Sequence, residues 1–241
     1  MRIFCKTDTG LVRTTNQDSY FAGEIADSAV FAVVCDGMGG ANAGNIASEA
    51  AVKRIYEYVI NSYRRNMTED DIEKLLKNAV VSANIELYDM SVNDPALSGM
   101  GTTAVLVLIQ NRRAVLAHVG DSRIYLVNDG IKQLTRDHSV VQSLIESGKI
   151  TPEDAKVHPR KNVITRAIGA EEDVAVDTGS LSLTPGDTLM LCSDGLTNYL
   201  ETEDILNIFK NTDIEKIPSA LVEAANAGGG GDNITVVTVT E

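Results

Sequence analysis

Positive charge is what this sequence has least of. Its 21 Lys and Arg stand against 34 Asp and Glu, a formal net charge of −13. A nucleic-acid backbone or an anionic membrane surface is thereby excluded as the main partner, since both need clustered cations. The total says little more, because acidity for solubility is common. Cysteine is scarce as well. Cys5, Cys35 and Cys192 form an odd set with no metal-type Cys-x-x-Cys spacing. Each lies in a strand-like run, so buried reduced thiols are expected. None has a glycine-rich loop or helix start that would make it a catalytic thiolate. No apolar run reaches the length of a membrane span, and Met1–Lys6 leads into polar residues without a signal-peptide core. There is no repeat, linker or low-complexity tract beyond Gly228–Gly231. The expectation is a soluble, cytoplasmic protein of ordinary globular composition, 44% hydrophobic and 23% charged. Its 241 residues are enough to bury a large core.

Strand-like segments dominate what is present, with two long helical interruptions. One helix is predicted from about Asn45 to Tyr63, on the recurrence of Ile46, Ala50, Ile55, Val59 and Ile60. A second begins at Thr68, with Asp71 placed to complete a capping box, and ends at Asp94-Pro95. Strands follow at 102–109, 114–119, 123–127 and 131–134, the last two joined by Asn128-Asp129-Gly130, a strong hairpin signal. A mixed region at about 137–161 carries a helical run at Val140-Val141-Leu144-Ile145, a stop at Gly148 and a new start at Thr151-Pro152. Further strands are predicted at 162–168, 174–183 and 188–193, short helices at 202–210 and 214–226, and a last strand at 234–240. Short connections make the strands antiparallel. The expected class is α+β: a four-layer α-β-β-α sandwich of two antiparallel sheets flanked by helices, in one domain. Regular strand–helix alternation of the dinucleotide-binding kind is absent.

Three acidic turns stand out: Asp36-Gly37-Met38-Gly39-Gly40, Ser193-Asp194-Gly195 and Gly231-Asp232-Asn233. Each aspartate lies where a strongly apolar segment meets a glycine, whereas acids such as Glu69-Asp70-Asp71 sit in helical stretches and suit a solvated surface. Carboxylates gathered at the ends of buried strands repel each other unless a hard divalent cation neutralises them. Any one turn taken alone reads better as a plain Asp-Gly turn; three of them after three very apolar segments shift the reading towards a metal site. Two further motifs are open in the same way. Arg13-Thr14-Thr15-Asn16-Gln17-Asp18 is either a surface ion pair or a guanidinium set to hold a phosphate. Gly120-Asp121-Ser122-Arg123 is either a tight turn with a local salt bridge or another acid near the cations.

Taken in order, these motifs together with Gly99-x-Gly101-Thr102-Thr103 resemble the metal-dependent Ser/Thr protein phosphatases of type 2C, the PPM family, in their short bacterial form. The resemblance runs from about residue 4 to 240, and six motifs in register make it specific. It implies one phosphatase domain over 1–241, with a mobile flap at about 137–161. It also implies a site for two cations, Mn2+ or Mg2+, with a third, weaker one in many bacterial members. By position Asp36 bridges the two cations, Asp194 and Asp232 complete the first, and the Gly37 carbonyl ligates the second. Asp18 acts through metal-bound waters, Asp121 with Asp194 matches the third site, and Arg13 binds the substrate phosphate. Thr102 and Thr103 look like core strand residues supporting the site. Catalysis would be in-line attack by a hydroxide held between cations about 3.5–4 Å apart, with Arg13, Asp18 and Asp36 as the catalytic set and no phosphoenzyme.

The implied substrates are phosphoproteins, targets of a Ser/Thr kinase, and the implied enzyme is a monomer. The alternatives are another phosphomonoester as substrate, or a weakly active phosphoprotein-binding regulator. The intact set of Asp36, Asp194 and Asp232 speaks against the regulator. Two departures from the family pattern are Met38, where some relatives carry a histidine that protonates the leaving group, and Gln17, where many are acidic. His118 reads as a core hydrogen-bonding residue and His138 as an organiser of the loop entering the flap. His158 lies in the flap, and none of the three is assigned to catalysis.

Overall fold

An unbroken apolar run such as Ala29–Cys35 has no polar face to offer water, so a strand made from it must be covered on both sides. The computed structural model of the protein, which describes residues 1–26, 29–39 and 43–241, satisfies that demand. In chain order it contains β1 (Arg2–Asp8), β2 (Asp18–Ala26), β3 (Ala29–Met38), α1 (Ala43–Ser62), α2 (Glu69–Asn93), β4 (Gly101–Thr102), β5 (Ala104–Gln110) and β6 (Arg113–Val119). It continues with β7 (Arg123–Val127), β8 (Ile131–Gln133), α3 (Val140–Glu146), α4 (Pro152–Lys156), β9 (Asp177–Ser182) and β10 (Thr188–Cys192). The chain then closes with α5 (Asp194–Thr197), α6 (Thr202–Asn211), α7 (Ile217–Ala227) and β11 (Ile234–Thr240). One sheet has the order β1-β11-β10-β7-β8 and the other β2-β3-β5-β6-β9, with β4 on β3. All the pairings are antiparallel.

Alternation along each strand divides the interior into three packed layers. Val30, Ala32 and Val34 of β3 point between the sheets and meet Leu189, Leu191, Val237 and Val239 from the other sheet. Phe31, Val33 and Cys35 point the opposite way, against Ala47, Ala51 and Ile55 of α1 and Leu76 and Leu87 of α2. On the far side Met190, Cys192 and Val236 pack on Ile205, Leu221 and Val222 from α6 and α7. This is the four-layer sandwich expected, and each fully buried Leu, Ile, Val or Phe contributes about 1.5–3 kcal/mol to it. Helix α2 starts with the expected capping box. Asp71 N donates to Thr68 Oγ1 at 3.2 Å and Thr68 N to Asp71 Oδ2 at 3.0 Å.

The structure corrects several expectations. Residues 162–168 form no strand; they make isolated bridges, Ile168 with Thr102 and Ile164 with Ser139. Ile168 meets the two-residue β4 and Ile164 meets Ser139 at the start of α3, and neither partner is long enough to carry a ladder. The strand expected at 174–183 shrinks to Asp177–Ser182, because β6 ends its pairing at His118↔Asp177. Upstream the backbone is drawn to α2 instead, where Asn84 Nδ2 donates to the carbonyls of Glu171 and Glu172. Cys35 and Cys192 are buried as expected, but Cys5 is exposed. It lies on β1, an edge strand, and its thiol donates to Tyr20 Oη at 3.3 Å. Gly40, the last residue of the first acidic turn, lies outside the described residues.

Candidate metal centre

The strand register brings the acids together. β2 and β3 pair with Asp18 opposite Asp36, and residues directly opposed on neighbouring strands share a face. Asp36 continues the Val30-Ala32-Val34 series, so it enters the space between the sheets at one end of the sandwich. Asp194 is the first residue of α5, immediately beyond β10, Asp232 precedes β11, and Asp121 lies in the β6–β7 turn. Asp36, Asp121, Asp194 and Asp232 line one cleft of about 250 Å³ with Arg13, Gly37, Met38 and Asn162.

Asp36 is held through its backbone. Thr103 Oγ1 accepts from Asp36 N at 3.0 Å, Thr102 Oγ1 donates to Asp36 O at 2.8 Å, and Thr103 Oγ1 also bonds Ser122 Oγ at 2.7 Å. The glycines after Asp36 and Asp194 are there for close approach. A Cβ on Gly37 would lie 2.0 Å from the Gly44 carbonyl oxygen, and one on Gly195 would lie 1.9 Å from that of Asn233. The start of α1 therefore packs directly on the metal-side turn.

Burial and the charge of neighbouring aspartates push the carboxyls of Asp18, Asp36, Asp121 and Asp194 above the usual range. Asp18 rises to about 7, first because it is buried and then through the charges of Asp194 and Asp232, against hydrogen bonds from Thr235 and Ser193. Asp36 is held well above its ordinary value by burial, then by Asp18, Asp194, Asp121 and Asp232. Burial followed by Asp194 and Asp137 lifts Asp121 to about 8. Asp194 is raised by burial and Asp232, with relief from the Asp36 carboxyl and Asn198. Nearby arginines neutralise little of this. Arg13 Nη2 lies 2.9 Å from Asp232 Oδ2, and Arg123 is spent on Asp137 at 2.6 Å. Asp18 Oδ1 is buried without a hydrogen-bond partner. An all-oxygen, over-charged cluster with an orphaned carboxylate oxygen fits a hard divalent cation.

Two local pairings differ from expectation. Arg13 bonds Asp232 rather than Asp18, five residues away, and Arg123 bonds Asp137 rather than Asp121. Asp18 is fixed at the head of β2 opposite Asp36, and the β6–β7 turn carries Asp121 into the cleft, so each is held away from the arginine near it in sequence. Of the histidines, His118 hydrogen-bonds the Arg136 carbonyl through Nε2 at 2.9 Å, and His158 Nδ1 accepts from Arg160 N at 3.1 Å. Among the described residues, the potential ligand atoms drawn within 4.8 Å of one another belong to His118, His138 and Asp177, not to the aspartates of the cleft.

The model of a family described as protein phosphatase 2C matches residues 12–220. The chain belongs to that family. Relatives within the protein phosphatase 2C family span nearly its whole length. The serine/threonine phosphatase stp of Listeria innocua is 42% identical over 238 residues, covering 97% of this chain and 93% of the relative. The crystal structure of serine/threonine phosphatase Stp1 from Staphylococcus aureus superposes with a TM-score of 0.94 at 34% identity, covering 99% and 94% of the two chains. A structure of the catalytic domain of PstP in complex with 2 manganese ions matches at TM-score 0.84 and 32% identity, covering 98% and 96%. Divalent-metal dependence thus belongs to the family and agrees with the donor chemistry of this cleft.

Some residues of this phosphatase 2C site escape sequence reasoning. Asn233 accepts from Gln17 N at 2.8 Å and donates to the carbonyls of Thr9 and Thr15 at 2.9 and 3.0 Å, stapling down the loop that carries Arg13. Ser193 passes one hydrogen bond along: it accepts from Thr235 N at 2.9 Å and donates to Asp18 Oδ2 at 2.7 Å. Both stand beside a motif aspartate, the one local sign of their use.

Proposed function

We propose that the aspartate end of the sandwich holds two divalent cations, Mn2+ or Mg2+, with a third, weaker one at Asp121, and that the chain uses them to hydrolyse phosphoserine and phosphothreonine in proteins. The chain is a protein phosphatase; its relatives named serine/threonine phosphatase support the substrate class. The observation that carries the site reading is the convergence of Asp36, Asp121, Asp194 and Asp232 on one cleft, with Asp18 paired opposite Asp36 and the carboxyls of Asp18, Asp36, Asp121 and Asp194 raised by burial and by neighbouring aspartates. Bound cations would supply an acidified water as nucleophile and positive charge against the phosphoryl oxygens.

The chain's own residues then have separate tasks. Asp36 would be shared by the two cations, Asp194 and Asp232 would complete the set for the first, and the Gly37 carbonyl would be offered to the second. Asp18, fixed by Ser193, orients water at the inner wall. Arg13, half-exposed at the rim on Asp232, turns its fork to the substrate phosphate. Met38 lines the cleft and has no proton to give, so the histidine donor of some relatives has no counterpart at this position.

In this reading residues 137–161 form a flap on the single phosphatase domain. α3, α4 and the core enclose a further cavity of about 300 Å³ that opens onto Asp121 and Asp194. The enzyme would work as a cytoplasmic monomer on the products of a Ser/Thr kinase; among the described residues no helix is long and apolar enough to cross a membrane. The test is a Mn2+ and Mg2+ titration of activity on matched phosphothreonine and phosphotyrosine peptides. Metal-dependent turnover of the phosphothreonine peptide is expected, and hydrolysis unaffected by chelator would overturn the reading.

A further inference from the structure

Three parts of the molecule meet at His138. Its backbone N donates to Gly120 O at 2.9 Å, and its ring Nδ1 accepts from Gly120 N at 3.0 Å. Both polar atoms of Gly120 therefore end on one residue. Gly120 has φ +103°, and a Cβ there would lie 2.6 Å from the Thr103 side chain, so the turn is tight and steers the next residue, Asp121, into the cleft. The carbonyl of His138 accepts from Thr165 N at 2.8 Å, while Val140 N bonds Val163 O at 2.9 Å and Ser139 bridges Ile164. The start of the 137–161 segment and the chain just beyond its end are thus tied together at the same place.

The far side of the ring is equally occupied. Nε2 lies 3.3 Å from Asp177 Oδ2 and 3.0 Å from Arg166 Nη1, and Arg166 in turn bonds Asp177 at 2.7 Å. His118 stacks on the ring at 4.7 Å with an interplanar angle of 8°. A neutral imidazole has one lone pair. The Gly120 N–H takes it at Nδ1, which assigns the hydrogen to Nε2, facing Asp177. A cation between His118, His138 and Asp177 would need that Nε2 lone pair and would have to displace the Arg166 guanidinium. The grouping is therefore a hydrogen-bonded clamp rather than a metal site.

We infer that His138 is a positioning residue whose imidazole locks the Gly120–Asp121 turn to both roots of the 137–161 segment, so that the aim of the Asp121 carboxylate and the seating of that segment depend on one side chain. The inference rests on the proposed role of Asp121 at the third cation. Two substitutions separate the two ring nitrogens. His138→Asn places an oxygen near Nδ1 and keeps the acceptor for Gly120 N–H, and His138→Gln reaches toward Nε2 and gives that acceptor up.

The experiment compares both with wild type and Asp121→Asn, by hydrogen–deuterium exchange of peptides spanning 119–124 and 162–166 in chelated full-length protein, and by Mn2+ binding followed by electron paramagnetic resonance. H138Q should exchange the 119–124 turn about tenfold faster, as loss of one buried hydrogen bond predicts, and should lose the weakest Mn2+ as D121N does. H138N should stay within about threefold of wild type in both. Wild-type exchange of the turn in H138Q, or equal acceleration in both variants, overturns the inference. If H138Q does not fold, Asp177→Asn takes its place; it cuts the Nε2 side alone and must leave the turn slow, and a fast turn overturns the inference. If D121N retains every Mn2+, the reading of Asp121 as a ligand falls, while the exchange contrast still decides the role of His138.

Discussion

Replacing Asp18 by Asn should stabilise the metal-free protein at high pH while weakening the loaded enzyme. Asp18 is 8% exposed, and its carboxyl is raised from 3.8 to about 7. Its folded value lies above its unfolded one. The folded state therefore keeps a proton that the unfolded chain releases, and the stability this contributes is lost as pH climbs from about 4 through 7. Fully ionised, the group opposes folding by about 4 kcal/mol. Asn removes the charge and keeps an oxygen to accept the Ser193 hydrogen bond of 2.7 Å. Its amide takes the place of the orphaned Oδ1 and leaves about 1–2 kcal/mol of unsatisfied donor. A net gain of about 2–3 kcal/mol at pH 8, and none at pH 5, is the expectation. Urea denaturation with chelator present, at both pH values, measures it. With Mn2+ added the order reverses, since ligand binding to the native state favours the better binder. A D18N protein that is less stable than wild type at pH 8, or shifted equally at both pH values, would refute the electrostatic argument.

Other perturbations read the same site. Asp194→Asn should lower kcat by at least about 100-fold with an unchanged circular dichroism spectrum; sustained turnover would remove Asp194 from the cation. Activity on p-nitrophenyl phosphate should disappear with chelator and return with Mn2+ or Mg2+. Arg13→Ala should raise KM for a phosphothreonine peptide about 10- to 100-fold, the worth of a charge-assisted bidentate contact, and Arg13→Lys should restore part of it. Thr103→Val strands the Asp36 amide and Ser122 Oγ, so chemical denaturation should show a loss of about 1–3 kcal/mol.

What could be read from the chain depended on whether the signal was local. Helix α2 announced itself through the Thr68–Asp71 box and its apolar period, and β3, β10 and β11 through apolar runs that only a doubly covered strand can carry. Asp36, Asp194 and Asp232 were legible because each terminates such a run. β2 was not singled out, and β1 only as the strand-like run around Cys5. Their side chains are half-buried and mixed in polarity, and they are strands because β11 and β3 offer hydrogen-bonding edges. Asp18, at the head of β2, was consequently reached through family resemblance rather than pattern. The ion pair of Arg13 with Asp232, the Asn233 staple and the His138 clamp all join residues distant in sequence, and no periodicity encodes them. Residues 162–168 misled in the other direction: Val163, Ile164, Ala167 and Ile168 look strand-like, yet the segment meets only single-residue bridges, at Ser139 and at Thr102 of the two-residue β4.

The position of β11 has a consequence for how the enzyme comes into being. Although β11 follows every other strand of the two sheets in sequence, it is not at an edge; it is inserted between β1 and β10, with Arg2 opposite Thr240 and Thr188 opposite the same residue. Until it arrives, β1 has no partner in its sheet, the inter-sheet core lacks Val237 and Val239, and Asp232 is not yet in place. A chain emerging from the ribosome therefore carries a half-zipped sandwich. Phosphatase activity should switch on as one late event, when β11 slides home between β1 and β10 and closes the core and the acidic site together.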